Sequence, residues 1–271
     1  MTKCILAAPF LMNEILGFAA LHLSIVRPLQ QTFYRHHAAE LQTHALTEFN
    51  SNSANLALSA ETCLPMFLFS SILALHMLSE KLLFRMGGFD AFLDGFVQSL
   101  RLHRGVRAVT NRSWPLLLNS PLKTLLEAEG TALTRDPAGS GDECAILIEL
   151  LDSSDSVDMS VRNTYRETIG HLQSAFDGSR QHPSRFSAVG PIISWPVVIP
   201  PGYIDLLEER KPQALIILAY FGALLHLHRE MWTFGDSGAY IVDSVKDYIG
   251  PSWEIWLHWP SAFVRPSNGN T

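Results

Sequence analysis

Charge is scarce in this sequence. Only 17% of the 271 residues are Asp, Glu, Lys or Arg, while 47% are hydrophobic, against roughly 25% charged in an average globular domain. Such a chain must bury much of itself, and it is long enough to form a large core. Basic residues are outnumbered by acidic ones, 20 against 26, for a net charge of −6, and no Lys/Arg cluster occurs. A surface that tracks phosphates needs such a cluster, so direct nucleic-acid binding by this chain is disfavoured. Cysteine is rare as well. Cys4, Cys63 and Cys144 are far apart and form neither a CxxC pair nor a zinc spacing. They read as reduced, buried thiols of an intracellular protein, cytoplasmic or nuclear.

Chemistry-bearing motifs are missing too. The sequence has no Gly-x-Ser-x-Gly elbow, phosphate-binding glycine loop, dinucleotide fingerprint or His-Glu-x-x-His. No cofactor and no metal are expected. Asp152, Asp155 and Asp158 recur at three-residue steps, but they straddle a helix end, where Ser and Asp act as caps. Strand signals are almost absent; Val197–Ile199 is the one candidate. The fold class is therefore all-α, an irregular multi-helix bundle in a single domain over 1–271.

Proline and glycine punctuate the chain. Helices are expected over Pro9–Ile25, Thr32–Phe49, Ala54–Phe84 with a kink or break at Pro65, and Phe89–His103 continuing towards Trp114. Asn50–Ser53 reads as a loop. Ser120-Pro121 opens a short helix, with Ser as cap and Pro at the first position. Residues 134–141, Thr-Arg-Asp-Pro-Ala-Gly-Ser-Gly, form the clearest loop and divide a front from a back half. Helices follow over Asp142–Leu151 and Val157–Phe176. Val189–Pro201 is too proline-rich for a regular element, and a short helix covers Pro201–Glu209. The tail 265–271 is polar and frays.

The most informative stretch is Pro212 to Pro260. It opens with a proline-led apolar run that carries no Asp, Glu, Lys or Arg until Arg229. A helix that is hydrophobic all round is covered on every side, so this is the central helix, ending near Glu230. It is too short, and too marked by Gly, Tyr and His, for a comfortable membrane span. The run Cys4–Met12 behind Lys3 resembles a short signal peptide, but Asn13 and Glu14 interrupt it, and a first core helix is the better reading. The run Thr62–Ser79 carries Pro65, Ser70, Ser71 and His76 and also reads as buried. No membrane span is expected.

If the chain is an enzyme, it works by shaping an apolar cavity around its substrate. His22, His76 and His226 sit on apolar helices and are the candidate acids or bases, although a satisfied buried histidine is the commoner case. His226 and His228 point in different directions on a helix and cannot easily share a metal; His226 with Glu230 has pairing spacing at i, i+4. Phe67, Met77, Phe89, Trp114, Trp232 and Phe234 are candidate cavity walls, though core packing also explains such residues. Gly235 and Gly238 add backbone freedom beside the aromatics.

Two end motifs carry a resemblance. Pro212-x-Ala-Leu-Ile-Ile-Leu-Ala-Tyr-Phe, Trp232 and Gly250-Pro-x-Trp253-x-x-Trp256-x-x-Trp259-Pro260 resemble the C-terminal end of fungal zinc-binuclear-cluster transcription factors of the sterol uptake control type. Pro9-Phe-Leu followed by Ile15-Leu16-Gly-Phe-Ala19-Ala20-Leu21-His22-Leu23 resembles that family's first effector-domain helix. The resemblance implies an all-helical effector domain with an apolar ligand pocket near the C-terminal part, its wall at Trp232 to Gly238. The family's six-cysteine zinc cluster has no counterpart in these residues, so DNA binding in the family's way is not expected.

Two functions follow as expectations. One is a stand-alone ligand-binding or regulatory domain for a sterol- or terpenoid-sized molecule, acting through a protein partner or as a homodimer. The alternative is a cofactor-independent cyclase, pericyclase or isomerase of fungal secondary metabolism, with a terpenoid or polyketide substrate in the same pocket.

Overall fold

The structure is a computed structural model. It describes residues 8–53, 59, 62–120, 123, 141–152, 158–181 and 185–265; within these, the side chains at 52–53, 105–114, 181 and 185–188 lie outside the description. All regular structure among the described residues is helical and no strand occurs there, as the scarcity of strand signals implies. The chain divides into two compact units. One takes the described residues up to Lys81 and those from Arg101 to Lys123. The other takes Leu82–Leu100 and the described residues from Gly141 onward.

The first unit is built on a helical hairpin, α1 (Pro9–Val26) and α2 (Gln31–Ser53), joined by a 3-10 turn at Pro28–Gln30. Pro9 opens α1, where its missing N–H costs nothing. Pro28 closes it, because a residue before proline avoids helical angles; Arg27 has φ −125° and ψ 69°. The two helices approach closely at Gly17, where a Cβ would stand 3.3 Å from the Ala38 carbonyl and 3.4 Å from Leu41 Cβ. α3 (Cys63–Leu83) completes the core. Phe10 meets Phe49 and Phe69 edge-on at 5.5 and 5.3 Å, and Phe49 stacks on Phe69 at 4.6 Å. Ala45, Leu11, Ile15 and Ile72 fill in around these rings.

Length and composition alone would let α1 and α3 cross a bilayer, each with a mean hydropathy of 1.5. About half or less of each is buried, 39% and 50%, but each packs on the phenylalanine core. Each also supplies one member of a buried acid–base pair. No clear membrane span emerges.

The second unit surrounds α9 (Pro212–Leu227). Every residue from Ala214 to Leu225 is buried, which bears out the all-round apolar reading. α10 (Ser237–Ile249) crosses it backbone to backbone: a Cβ on Gly238 would come within 2.3 Å of the Gly222 carbonyl oxygen and 2.5 Å of the His226 nitrogen. α11 (Glu254–Val264), entered through a 3-10 turn at Pro251–Trp253, lies over both. Trp259 stacks on Tyr220 at 5.3 Å, and the Tyr220 hydroxyl donates to the Trp256 carbonyl at 3.2 Å.

On the other side, α8 (Pro201–Glu208) is tied to α9 by the Tyr203 hydroxyl, which donates to the Ala214 carbonyl at 3.0 Å. α7 (Arg185–Val198) packs on α6 (Met159–Gln181), with α5 (Ala145–Asp152) beside α6. Trp195 stacks on Phe221 at 4.3 Å. The first half of α4 (Gly88–Leu117) adds Phe92, whose ring meets Tyr240 edge-on at 5.2 Å.

Several boundaries differ from the sequence reading. α7 is a regular helix despite Pro191 and Pro196, so Val189–Pro201 is not irregular and Val197–Ile199 is not a strand. Each interior proline removes one backbone hydrogen bond, but Val189, Ile192, Trp195 and Ile199 are buried, and burial outweighs propensity. α4 runs unbroken through His103 and ends at Leu117, 30 residues in all. α2 runs through Asn50–Ser53 rather than stopping in a loop there. α3 begins at Cys63, with Pro65 in its first turn, where proline is tolerated. α9 stops at Leu227, short of Glu230. The expected helix at Pro121 lies outside the described residues, as does the loop 134–141 up to Ser140. So does the tail beyond Arg265.

Candidate functional site

The C-terminal end of α9 is the point in the second unit where unsatisfied polar groups collect. After Leu227 the chain leaves the helix, His228 having φ −117° and ψ 31°. It then runs through successive turns to Asp236, where α10 begins at Ser237. Gly235 permits the last of these turns at φ +51°, a left-handed conformation that glycine adopts without steric cost. Phe234 anchors the turn in the core with no exposed surface. Arg85 clamps its far end, donating to Asp236 at 2.5 Å while lying over the Tyr240 ring at 4.6 Å.

Buried polar side chains are normally hydrogen-bonded. Here His228 Nδ1, Thr233 Oγ1 and Ser237 Oγ, with Ser261 Oγ on α11, are buried without a hydrogen-bond partner, and His226 Nδ1 is sealed in the same way. The Ser237 residue is 0% exposed. His228 is held on its other nitrogen, Nε2, by Ser179 Oγ of α6 at 2.5 Å. Its Nδ1 stands 4.0 Å from Glu230 Oε1. Burial pushes the His228 imidazole below its ordinary value, with Glu230 opposing. His226 is lowered by burial and further by Arg229. Its ring lies 6.3 Å from that of Phe263. The expected His226–Glu230 pairing does not form, because α9 ends too soon to bring residue 230 round onto the same face.

The sequence-predicted residues divide between the two units. Trp232, Phe234, Gly235, Gly238 and His226 all belong to the α9–α10 junction. Trp232 is half-buried there, and Gly238 makes the close helix contact. Phe89 belongs to the same unit but meets Tyr248, at 5.4 Å. Ten residues of helix separate Tyr248 from Gly238, about 15 Å at 1.5 Å per residue. In the first unit, Phe67 packs by the Cys63–Leu64–Leu117 cluster. Met77 and His22 are half-buried. The Trp114 side chain lies outside the described residues.

His76 is the surprise of the first unit. It is 2% exposed and its Nδ1–H donates to Oε1 of Glu14, itself 0% exposed, at 2.8 Å. The second Glu14 oxygen, Oε2, is buried with no partner. In the sequence Glu14 shows only as an interruption of an apolar run. The signal was available: Glu14 is the sole acid in α1, and a lone carboxylate in such a helix needs a buried partner.

Elsewhere, α5 and α6 form an open groove of about 290 Å³ lined by Gly141, Cys144, Ala145, Ile148, Arg166, Ile169, Gly170 and Gln173. Burial pushes the Cys144 thiol up, so it is no ready nucleophile. Among the described residues, no three His, Cys, Asp or Glu side chains gather as a metal site. Of the aspartates at three-residue steps, Asp152 pairs with Arg166 at 3.3 Å, and Asp158 accepts from the Ser160 amide at 3.0 Å. Asp155 lies outside the described residues.

The chain is similar to a Zn(2)-C6 fungal-type transcription factor of Gibberella zeae, 23% identical over 262 residues. That alignment takes in 93% of this chain but 52% of the other protein, so the chain spans about half the length of the curated relative it matches. Similarity along nearly the whole chain supports a fungal transcription-factor-like relationship, in agreement with the motifs at the two ends. No known family profile matches the chain, and no solved structure does.

Proposed function

We propose that this chain is a helical regulatory domain, of the effector type found in fungal zinc-cluster transcription factors. On this reading it holds a hydrophobic molecule of sterol or terpenoid size against the turn 232–238. The observation that carries the reading is the similarity to a fungal transcription factor across 93% of the chain. The polar atoms left without partners in and around the turn 228–237 add to it, since such atoms invite a guest or ordered water. The two compact units then act together as one effector domain, without a DNA-reading role of their own, in a nuclear or cytoplasmic protein. The resemblance of the end motifs is what supports the sterol-uptake type within this reading.

The test is equilibrium binding to the purified full chain, followed by tryptophan fluorescence, with sterols, terpenoids and aromatic polyketides offered in turn. Saturable binding to one class, weakened by Trp232→Ala, supports the reading. No saturable site for any class overturns it. Mass spectrometry of the same mixtures addresses the cyclase or isomerase alternative, which requires a new product.

A further inference from the structure

We propose that His228 is a proton-operated latch: when its imidazole takes a second proton, Nδ1 captures Glu230 and the turn 228–236 tightens against α6. The proposal rests on the reading of this turn as the ligand-facing wall and adds the regulation of that wall.

The argument is one of hydrogen-bond supply. A neutral imidazole has one N–H and one bare nitrogen; an imidazolium has two N–H groups and needs two acceptors. Ser179 Oγ already meets Nε2 at 2.5 Å. Nδ1 is buried and unpartnered, so the neutral ring leaves one group unsatisfied whichever tautomer it adopts, at a real energetic cost. Glu230 Oε1 waits 4.0 Å away, about 1 Å beyond hydrogen-bonding distance. Protonation converts an idle nitrogen into a charged donor facing a carboxylate, and a charge-assisted bond is the stronger kind. Glu230 is 39% exposed, so its side chain is not locked in the core.

The surrounding charges leave Glu230 as the partner. Arg180, next to Ser179, is engaged by Glu143 and Asp177. Arg229 donates to the His226 carbonyl at 3.3 Å, and Asp236 is held by Arg85. Glu230 is the charge whose field reaches His228. His226, two residues away, feels Arg229 instead and has no carboxylate to gain. The two histidines therefore respond differently to acid: His228 acquires a bond and His226 acquires only an uncompensated charge.

The test is histidine-resolved NMR on the ligand-free full chain, titrated from about pH 7.5 to about pH 5, where histidine changes charge. Amide shifts of residues 229–236 should follow the His228 titration. Glu230→Gln should move the His228 midpoint to lower pH and suppress those shifts, while Glu230→Asp should restore part of them. An unchanged His228 midpoint in Glu230→Gln overturns the proposal, as do turn amides that follow His226 instead. Glu230 lies on the exposed side of the turn, so the variant remains informative if His228→Gln does not fold. No ligand enters the experiment, so a failure of the latch is distinct from a failure to bind hydrophobic molecules.

Discussion

Glu14 and His76 lie 62 residues apart in sequence and meet at 2.8 Å inside the first unit, with almost no exposed surface between them. The pair joins α1 to α3, two helices with few other charged groups. Breaking a buried pair by removing one member leaves the other uncompensated, at a cost of about 3–5 kcal/mol, while replacing both with apolar groups is often neutral. Glu14→Leu and His76→Leu should each strongly lower the urea midpoint of the first unit. The double variant should recover most of the loss. Additive losses in the double variant would show that the two side chains contribute independently rather than as a pair.

The same pair illustrates what the sequence could and could not reveal. His76 stands out in the sequence as a titratable group on an apolar helix, and Glu14 as an interruption, but nothing in a one-dimensional pattern joins residues so far apart. Central helix α9 was legible because its apolar character is continuous around the axis, so no choice of face was needed. α7 was not, because two prolines dominate a local reading, whereas the buried Trp195 and Ile192 that stabilise the helix act through tertiary contacts. Trp232, Phe234 and the glycines stand out in the sequence as aromatics beside flexible backbone, and His228 as a second histidine, but the unpartnered Thr233 and Ser237 beside them do not. Hydroxyl and imidazole groups are ordinary in a turn until burial removes their water.

The two glycines of the candidate wall make different predictions. Gly238 is pressed against the Gly222 carbonyl, where a Cβ would stand 2.3 Å away, and the obstacle is backbone that cannot swing aside. Gly238→Ala must separate α9 from α10, and overpacking of this kind costs about 1–3 kcal/mol or more. Gly235 has the nearest atom, Leu83 Cδ2, at 3.7 Å. Gly235→Ala meets no clash and loses only the left-handed preference, about 1–2 kcal/mol. Thermal unfolding of the ligand-free variants should rank Gly238→Ala as the less stable. The reverse order would mean that the turn, not the helix crossing, limits stability.

Arg210 combines a strained backbone with a useful side chain. Its φ is +55°, and its guanidinium donates to Asp94 at 2.5 Å and Asp90 at 3.5 Å on α4. Those carboxylates hold the guanidinium more firmly protonated. Arg210→Gly removes the ion pairs and relieves the strain; Arg210→Ala removes them and keeps the strain. Exposed ion pairs contribute about 0–1 kcal/mol each, so the glycine variant should be near wild type and the alanine variant less stable by roughly 1 kcal/mol. Added salt screens the wild-type ion pairs and should raise the glycine variant relative to wild type. It should leave the gap between the two variants unchanged, because that gap is conformational.

Acid should weaken the second unit through its two histidines, and the sign follows from where the protons bind. His226 and His228 are both held below their ordinary value by burial. The unfolded chain therefore takes up protons at a higher pH than the folded one, near 6.5 for an unperturbed imidazole. Stability gained by keeping these rings neutral is complete above that value and declines as pH falls towards the folded values. Glu230 moderates the loss at His228, and no carboxylate moderates it at His226. Stability measured by denaturant unfolding at about pH 7.5 and about pH 5.5 should fall less in His226→Gln than in wild type, and Glu230→Gln should fall more. A wild-type acid loss that survives unchanged in His226→Gln would place the titrating group elsewhere.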